Sequence, residues 1–274
     1  MSDGSTNVNV PPAAEVPASP VISHRPVGAP LPQGRPASTG APSTPVKRQY
    51  VSFHFYKLMP EFRRLPQDQQ SSMLQQFAKL VEANDRQKMI LLTYSCIGTR
   101  ADVDLMFWEI SFNLDVIQEF TAAVNRLPLA GYLTTPHSFL AQTKRSTYLD
   151  KLDPSHDESR TIIRPGKYKY VFVYPFVKKR EWYLLSKHTR QGIMDEHIEI
   201  VTKYQSVRLN TTYSFGLDDQ EFVVAFETES PGDFLDLVQE LRESEGSRYT
   251  ERDTPIFTAV QTPVRELIKN LADV

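Results

Sequence analysis

The stretch Tyr170–Tyr204, YVFVYPFVKKREWYLLSKHTRQGIMDEHIEIVTKY, changes its period partway along. Val171, Val173 and Pro175 alternate with Tyr170, Phe172, Tyr174 and Phe176, the two-residue period of a strand, until a basic turn at Lys178, Lys179 and Arg180. From about Ser186 onward, Ile193, Met194, His197, Ile200, Val201 and Tyr204 recur at steps of three and four, which gives a helix one apolar face with His197 in its middle. Two readings of that histidine stand: a core imidazole bonded to a carbonyl, or a metal ligand projecting into a dry cleft, as a haem-iron ligand does. Tyr174 and Lys178 favour the second, because the preceding strand brings a phenol and a cation to the same cleft.

The pattern is written twice. Tyr50-Val-Ser-Phe-His-Phe-Tyr echoes Tyr170-Val-Phe-Val-Tyr-Pro-Phe, Leu65-Pro66 falls opposite Leu185-Ser186, and Tyr94-Ser95 falls opposite Tyr213-Ser214. Gly98 matches Gly216, Asp115 matches Asp233, and Tyr132 with Thr135-Pro136 matches Tyr249 with Thr254-Pro255. Each half reads strand, helix, strand, strand, helix, strand. In the first half these are Val51–Leu58, Asp68–Ala83 with Met73, Phe77 and Leu80 inward, Lys88–Cys96, Val103–Phe112, Asp115–Arg126 and Tyr132–Gln142. The second half continues through Gln205–Phe215, Glu221–Glu227, Pro231–Glu243 and Arg248–Phe257. That order is the ferredoxin-like unit, an antiparallel four-stranded sheet with two helices on one face. The expected class is therefore α+β, two fused ferredoxin-like units with facing sheets, at 50–145 and 168–274 with a linker at 146–167. The repeat also supplies a control: opposite His197 stands Phe77, and His54 or Phe55 stands opposite Tyr174 or Pro175. Tyrosine, lysine and histidine come together only in the second copy.

Composition narrows the partners. Lys and Arg total 31 against 33 Asp and Glu, a net charge of −2, so no field gathers nucleic acid or an anionic membrane. The single cysteine, Cys96, excludes an internal disulfide and a thiolate cluster within one chain, and points to a reducing cytoplasm; it sits in an apolar run, as an inert buried thiol does. No apolar run approaches the ~18 residues that span a bilayer, and the N-terminus lacks the layout of a secretory signal. Residues 1–49 hold half of the prolines and no aromatic residue, so a flexible tail is expected there.

Tyr174-Pro175-x-x-Lys178, Trp182-Tyr183, Met194-x-x-His197, Gly216-Leu-Asp-Asp-x-Glu-Phe and Phe226-Glu-Thr together resemble the chlorite dismutase superfamily, most of all its coproheme decarboxylase branch. The likeness runs from about Tyr50 to about Phe257. It implies that the two units form a dimeric α+β barrel, with an iron porphyrin between the second sheet and its helices. It implies His197 as the iron ligand, Tyr174 as a redox-active tyrosine, Lys178 as a residue that steadies a propionate and serves protons, and Arg160 and Ser247 as propionate-binding residues. Arg164, four residues beyond Arg160, competes for that place. Tyr174 as an ordinary strand residue, Lys178 as a solvated turn residue, and the arginine and Ser247 as surface groups are the plain alternatives.

Three positions refine the resemblance. Where chlorite dismutases carry an arginine on the strand after the helix, Leu209 stands here with Arg208 one residue earlier, so Arg208 points away if Leu209 faces the iron. Where they carry a glutamate behind the iron-bound histidine, Gly246 stands, with Glu243 and Glu245 nearby; Phe176 replaces a methionine common in the decarboxylases. The expected activity is peroxide-dependent decarboxylation of coproheme to haem b, with coproheme as both substrate and redox centre, in a homo-oligomer that the resemblance implies to be a pentamer. The rivals are a chlorite dismutase or haem peroxidase, and a haem carrier or sensor without catalysis. His188 falls on the opposite helix face from His197, and Asp218-Asp219 after Gly216 reads as a hairpin turn.

Overall fold

A computed structural model describes residues 47–146, 148 and 162–272. The proline-rich segment up to residue 46 and most of the 146–167 linker lie outside these described residues. In the first half, β1 (Tyr50–Leu58), α1 (Gln67–Glu82), β2 (Met89–Ser95), β3 (Leu105–Ser111), α2 (Leu114–Asn125) and β4 (Leu133–Gln142) follow the expected order. The second half runs β5 (Tyr170–Lys178), a short α3 (Arg180–Leu184), α4 (Lys187–Lys203), β6 (Val207–Tyr213), β7 (Phe222–Thr228), α5 (Pro231–Glu243), β8 (Thr250–Arg252), β9 (Phe257–Gln261) and α6 (Val264–Leu271).

Strand order β4-β1-β3-β2 in the first half and β9-β5-β7-β6 in the second gives two antiparallel sheets of the ferredoxin-like type. They join at both edges. Tyr94 and Ser95 pair with Gln261 and Val260, and Gln142 pairs with Tyr213, which closes the strands into a barrel. Side chains tighten both seams, since Thr93 Oγ1 donates to Thr262 O at 2.6 Å and Ser214 Oγ donates to Leu140 O at 2.8 Å. The Asp218 turn is part of the second seam: one carboxylate oxygen accepts the Leu140 N–H at 2.8 Å, beside Gly216 at φ +72°. Closure leaves no long open edge for stray pairing.

Period-two alternation sorts the side chains. Val51, Phe53 and Phe55 of β1 and Val171 and Val173 of β5 fill the barrel with Trp108, Tyr94, Met106 and Phe257. The opposite faces carry the helices. Leu74, Phe77, Ala78 and Val81 of α1 pack on Tyr56, Leu105 and Phe107, while Met73 and Leu80 sit half-buried at the edge of that cluster.

Two elements depart from expectation. The strand expected over Arg248–Phe257 is instead a 3-10 turn at Glu245–Tyr249, the short β8, a break, and then β9 from Phe257. Pro255 explains the break, because it has no N–H to give a ladder. The C-terminal helix α6 was not foreshadowed by the repeat. It buries Val264, Leu267, Ile268 and Leu271 against the helix-side core of the first half, and Arg265 pairs with Glu82 of α1.

Candidate active site in the second half

The alternation in β5 sets the site's floor. With Val171 and Val173 turned into the barrel, Phe172 and Tyr174 face the helices, in a cluster with Ile200 of α4, Phe226 of β7 and Phe234 and Leu237 of α5. Tyr174 is 8% exposed and lies nearly parallel to Phe226, with ring centroids 6.0 Å apart. Burial holds its hydroxyl far above the ordinary phenol range; the Asp253 carboxylate adds to this, and Arg242, its ion-pair partner, opposes it. The residue is a neutral phenol, able to give up an electron and a proton together but not to act as a standing phenolate.

Lys178 follows a register shift at the end of β5, and its ammonium turns back over Phe176, the residue after Tyr174 in the helix-side row. Its ammonium donates to Gly246 O at 3.2 Å and rests over the ring of Trp182 at 4.6 Å and that of Phe176 at 5.2 Å. Desolvation lowers its pKa to about 8 and the Glu221 carboxylate works in the other direction. The cation is therefore charged at neutral pH yet close to releasing its proton. Ser247 follows Gly246 in the 3-10 turn, half-buried, with its hydroxyl on Ser244 O at 2.8 Å. That turn leans on α4: Glu245 N–H donates to Glu196 Oε2 at 3.1 Å, and a Cβ built on Gly246 would lie 3.7 Å from Ile193 Cγ2. Lys178, Gly246 and Ser247 thus meet one turn of α4 before His197.

His197 sits half-buried on α4, which Ser186 caps by accepting the Thr189 N–H at 3.1 Å. Comparison of the halves shows why its helix differs. Leu74 and Phe77 of α1 are fully buried, whereas their counterparts Met194 and His197 are only half-buried, as is Val201 opposite Val81; Ile198, opposite Ala78, is buried like it. The helix packs on its sheet through Ile200, Val201 and Tyr204, and the Met194–His197 stretch is its less buried part. Arg190, two turns before His197 on the same side of α4, has a buried Nε without a hydrogen-bond partner. An imidazole, an ammonium, a hydroxyl and a guanidinium beside an apolar cluster are the donor set that an iron porphyrin with carboxylate arms calls for.

Leu209 belongs to the same helix-side cluster, in the cross-strand row of Phe226 and Phe172. Arg208 is on the alternate face, with the buried Asn210 and Thr212. Arg160 lies outside the described residues, and Arg164 is exposed. His188 is exposed and Cys96 is buried, its thiol pushed up to about 12 chiefly by burial. Among the described residues no group of three or more His, Cys, Asp or Glu could hold a metal. Two contributors carried no earlier assignment. Glu221 stood in a quoted motif without a role, and Arg190 sits at a seven-residue step from His197 that a count of apolar residues passes over.

A duplicated ferredoxin-like barrel with a histidine-bearing helix on its second half is an architecture shared with haem-binding proteins. The family model described as chlorite dismutase matches residues 70–262, and this chain belongs to that family. A coproheme decarboxylase of Mycolicibacterium smegmatis is 30% identical over 224 residues, covering 81% of this chain and 94% of that protein. Another, from Staphylococcus carnosus, is 27% identical over 210 residues, covering 70% and 84%. Among solved structures, chlorite dismutase from Candidatus Nitrospira defluvii in complex with imidazole superposes with a TM-score of 0.73 at 26% identity, covering 81% of this chain and 94% of that one. A heme-binding protein of Thermus thermophilus gives 0.72 at 27% identity, over the same shares.

Proposed function

We propose that this protein makes haem b by oxidative decarboxylation of two propionates of coproheme, with hydrogen peroxide as the oxidant. The carrying observation is a buried neutral phenol, Tyr174, and the desolvated ammonium of Lys178 four residues along the same strand, in the half whose helix carries His197 where the first half has the core residue Phe77. Each propionate loses its carboxyl and one β-hydrogen and becomes a vinyl group, so one peroxide and one proton per arm leave as two waters with one carbon dioxide. Bound coproheme supplies the redox chemistry with peroxide; the protein supplies the rest.

His197 holds the iron from the α4 side. Tyr174 passes an electron and a proton from its hydroxyl and recovers a hydrogen atom from the propionate β-carbon, a carbon too weakly acidic for a base to attack. Lys178 pairs with the carboxylate until it leaves and holds a proton that its depressed pKa makes transferable. Ser247 and Arg160 bind other arms, with Arg190 as a further donor. Leu209 on the helix side, in place of a cation, argues against a site built to hold chlorite.

The finer expectations belong to the same reading. A cytoplasmic enzyme fits the single buried thiol, and no helix among the described residues is long and apolar enough to cross a membrane. Assembly of identical chains, five as the resemblance implies, fits surface residues such as Leu184, which is 85% exposed. Incubation with coproheme and stepwise peroxide tests the activity: the decarboxylase yields haem b, a chlorite dismutase releases oxygen from chlorite instead, and a carrier binds without turnover.

A further inference from the structure

We infer that Glu221 is the positioning residue of this site, fixing the strand end from which Lys178 departs and the ring on which its ammonium rests; the inference rests on the coproheme decarboxylase reading. Glu221 lies just before β7, and its Oε2 takes two donors, the Lys178 main-chain N–H at 2.8 Å and the Tyr183 hydroxyl at 2.5 Å. Its own N–H donates to Phe176 O at 3.3 Å. The β5–β7 ladder ends at Phe176 and Phe222, so the carboxylate takes over as partner of the Lys178 N–H where the ladder stops. Through Tyr183 it also holds α3, and α3 carries Trp182, which supports the ammonium and packs against Tyr249 at 5.4 Å.

The first half separates what is structural in this arrangement from what is particular to the site. Asp104, just before β3, accepts the Leu58 N–H at the end of β1 at 2.9 Å, as Glu221 does for Lys178. A carboxylate that caps the strand end is therefore common to both copies. The anchored residue differs: Leu58 is buried in the core, whereas Lys178 carries a charge to the site, and Asp104 takes Lys57 as its other partner where Glu221 takes Tyr183.

These charged and titratable groups surround the ammonium of Lys178 among the described residues. Glu221 faces it from β7 and opposes the loss of its proton; Tyr183 of α3 is held neutral by burial and by Glu221 itself. Arg252 of β8 is exposed, and Glu245 and Arg248 of the 3-10 turn pair with each other at 3.6 Å.

The test is a coproheme titration followed by the Soret band from pH 6 to 9, for wild type, Glu221→Gln, Tyr183→Phe and, as a control, Asp104→Asn. Affinity of the wild type falls as pH rises through about 8. Loss of the neighbouring charge moves that limb to lower pH, so affinity at pH 8 falls below that of wild type with little change at pH 6. Asp104→Asn lowers stability and leaves the limb in place; Tyr183→Phe weakens binding at every pH by loosening Trp182. A Glu221→Gln limb at the wild-type position, or an Asp104→Asn limb that shifts equally, overturns the inference. If Glu221→Gln does not fold, wild-type affinity in Tyr183→Phe overturns it. A wild type that binds coproheme but makes no haem b with peroxide refutes the functional reading, and the inference with it.

Discussion

Tyr174 and Lys178 owe opposite pKa displacements to one cause. Desolvation disfavours the charged form of each, so the phenol is held neutral and the ammonium is brought down to about 8. One strand thereby holds a hydrogen-atom source and a labile cation, which is the pairing that a carboxylate-bearing, oxidisable substrate needs. The sign for folding is opposite to that for binding. Because the unfolded chain holds this proton with the ordinary lysine value of 10.5, it binds more protons than the native state between about pH 8 and 10.5, and the free protein gains stability as pH rises across that window. Lys178→Met is expected to lack both this gain and the fall in coproheme affinity above about pH 8, as read by thermal melts and Soret titrations.

At the scale of elements, the two helices that occupy equivalent places show how a packing position becomes a binding position. Phe77 is fully buried under α1; its counterpart His197 is half-buried on α4. Phe77→Ala should therefore cost about 3–5 kcal/mol in urea unfolding. His197→Ala should cost under ~1 kcal/mol in the porphyrin-free protein yet alter the iron's optical spectrum on coproheme addition. An unchanged spectrum removes His197 as the ligand. The alternation from Tyr170 to Phe176 and the three- and four-residue steps to His197 were legible because period alone decides which face a side chain takes. The β8–β9 break was not, since a strand-like composition continues through Asp253-Thr-Pro-Ile and only the missing Pro255 donor interrupts it. Glu221 escaped for a related reason: its partners are set by register across the sheet, 43 and 38 residues away in sequence, and no local pattern records that.

For the whole molecule, closure of two sheets into one barrel makes the first half a scaffold for the second. Its helix-side core is sealed by α6, which comes from the other end of the chain. Leu267→Ala, at a fully buried position, should lower unfolding free energy by about 2–5 kcal/mol while leaving the bound coproheme spectrum as in wild type. The repeat in the sequence was enough to expect two units, but α6 lies beyond the last strand of the repeat as read and so could not be expected from it. The division of labour follows: bulk stability resides with Phe77, Trp108 and Leu267, and chemistry with the copy in which core residues gave way to polar ones.

The central claim is that Tyr174 is the group through which the propionates are oxidised. Mass spectrometry of the tetrapyrrole after peroxide is added to the coproheme-loaded protein tests it, with wild type beside Tyr174→Phe. The account predicts haem b from the wild type, and from the variant unchanged coproheme that remains bound, with turnover at least ~100-fold slower, as for other lost proton-transfer groups. Haem b formed by Tyr174→Phe at the wild-type rate would contradict it.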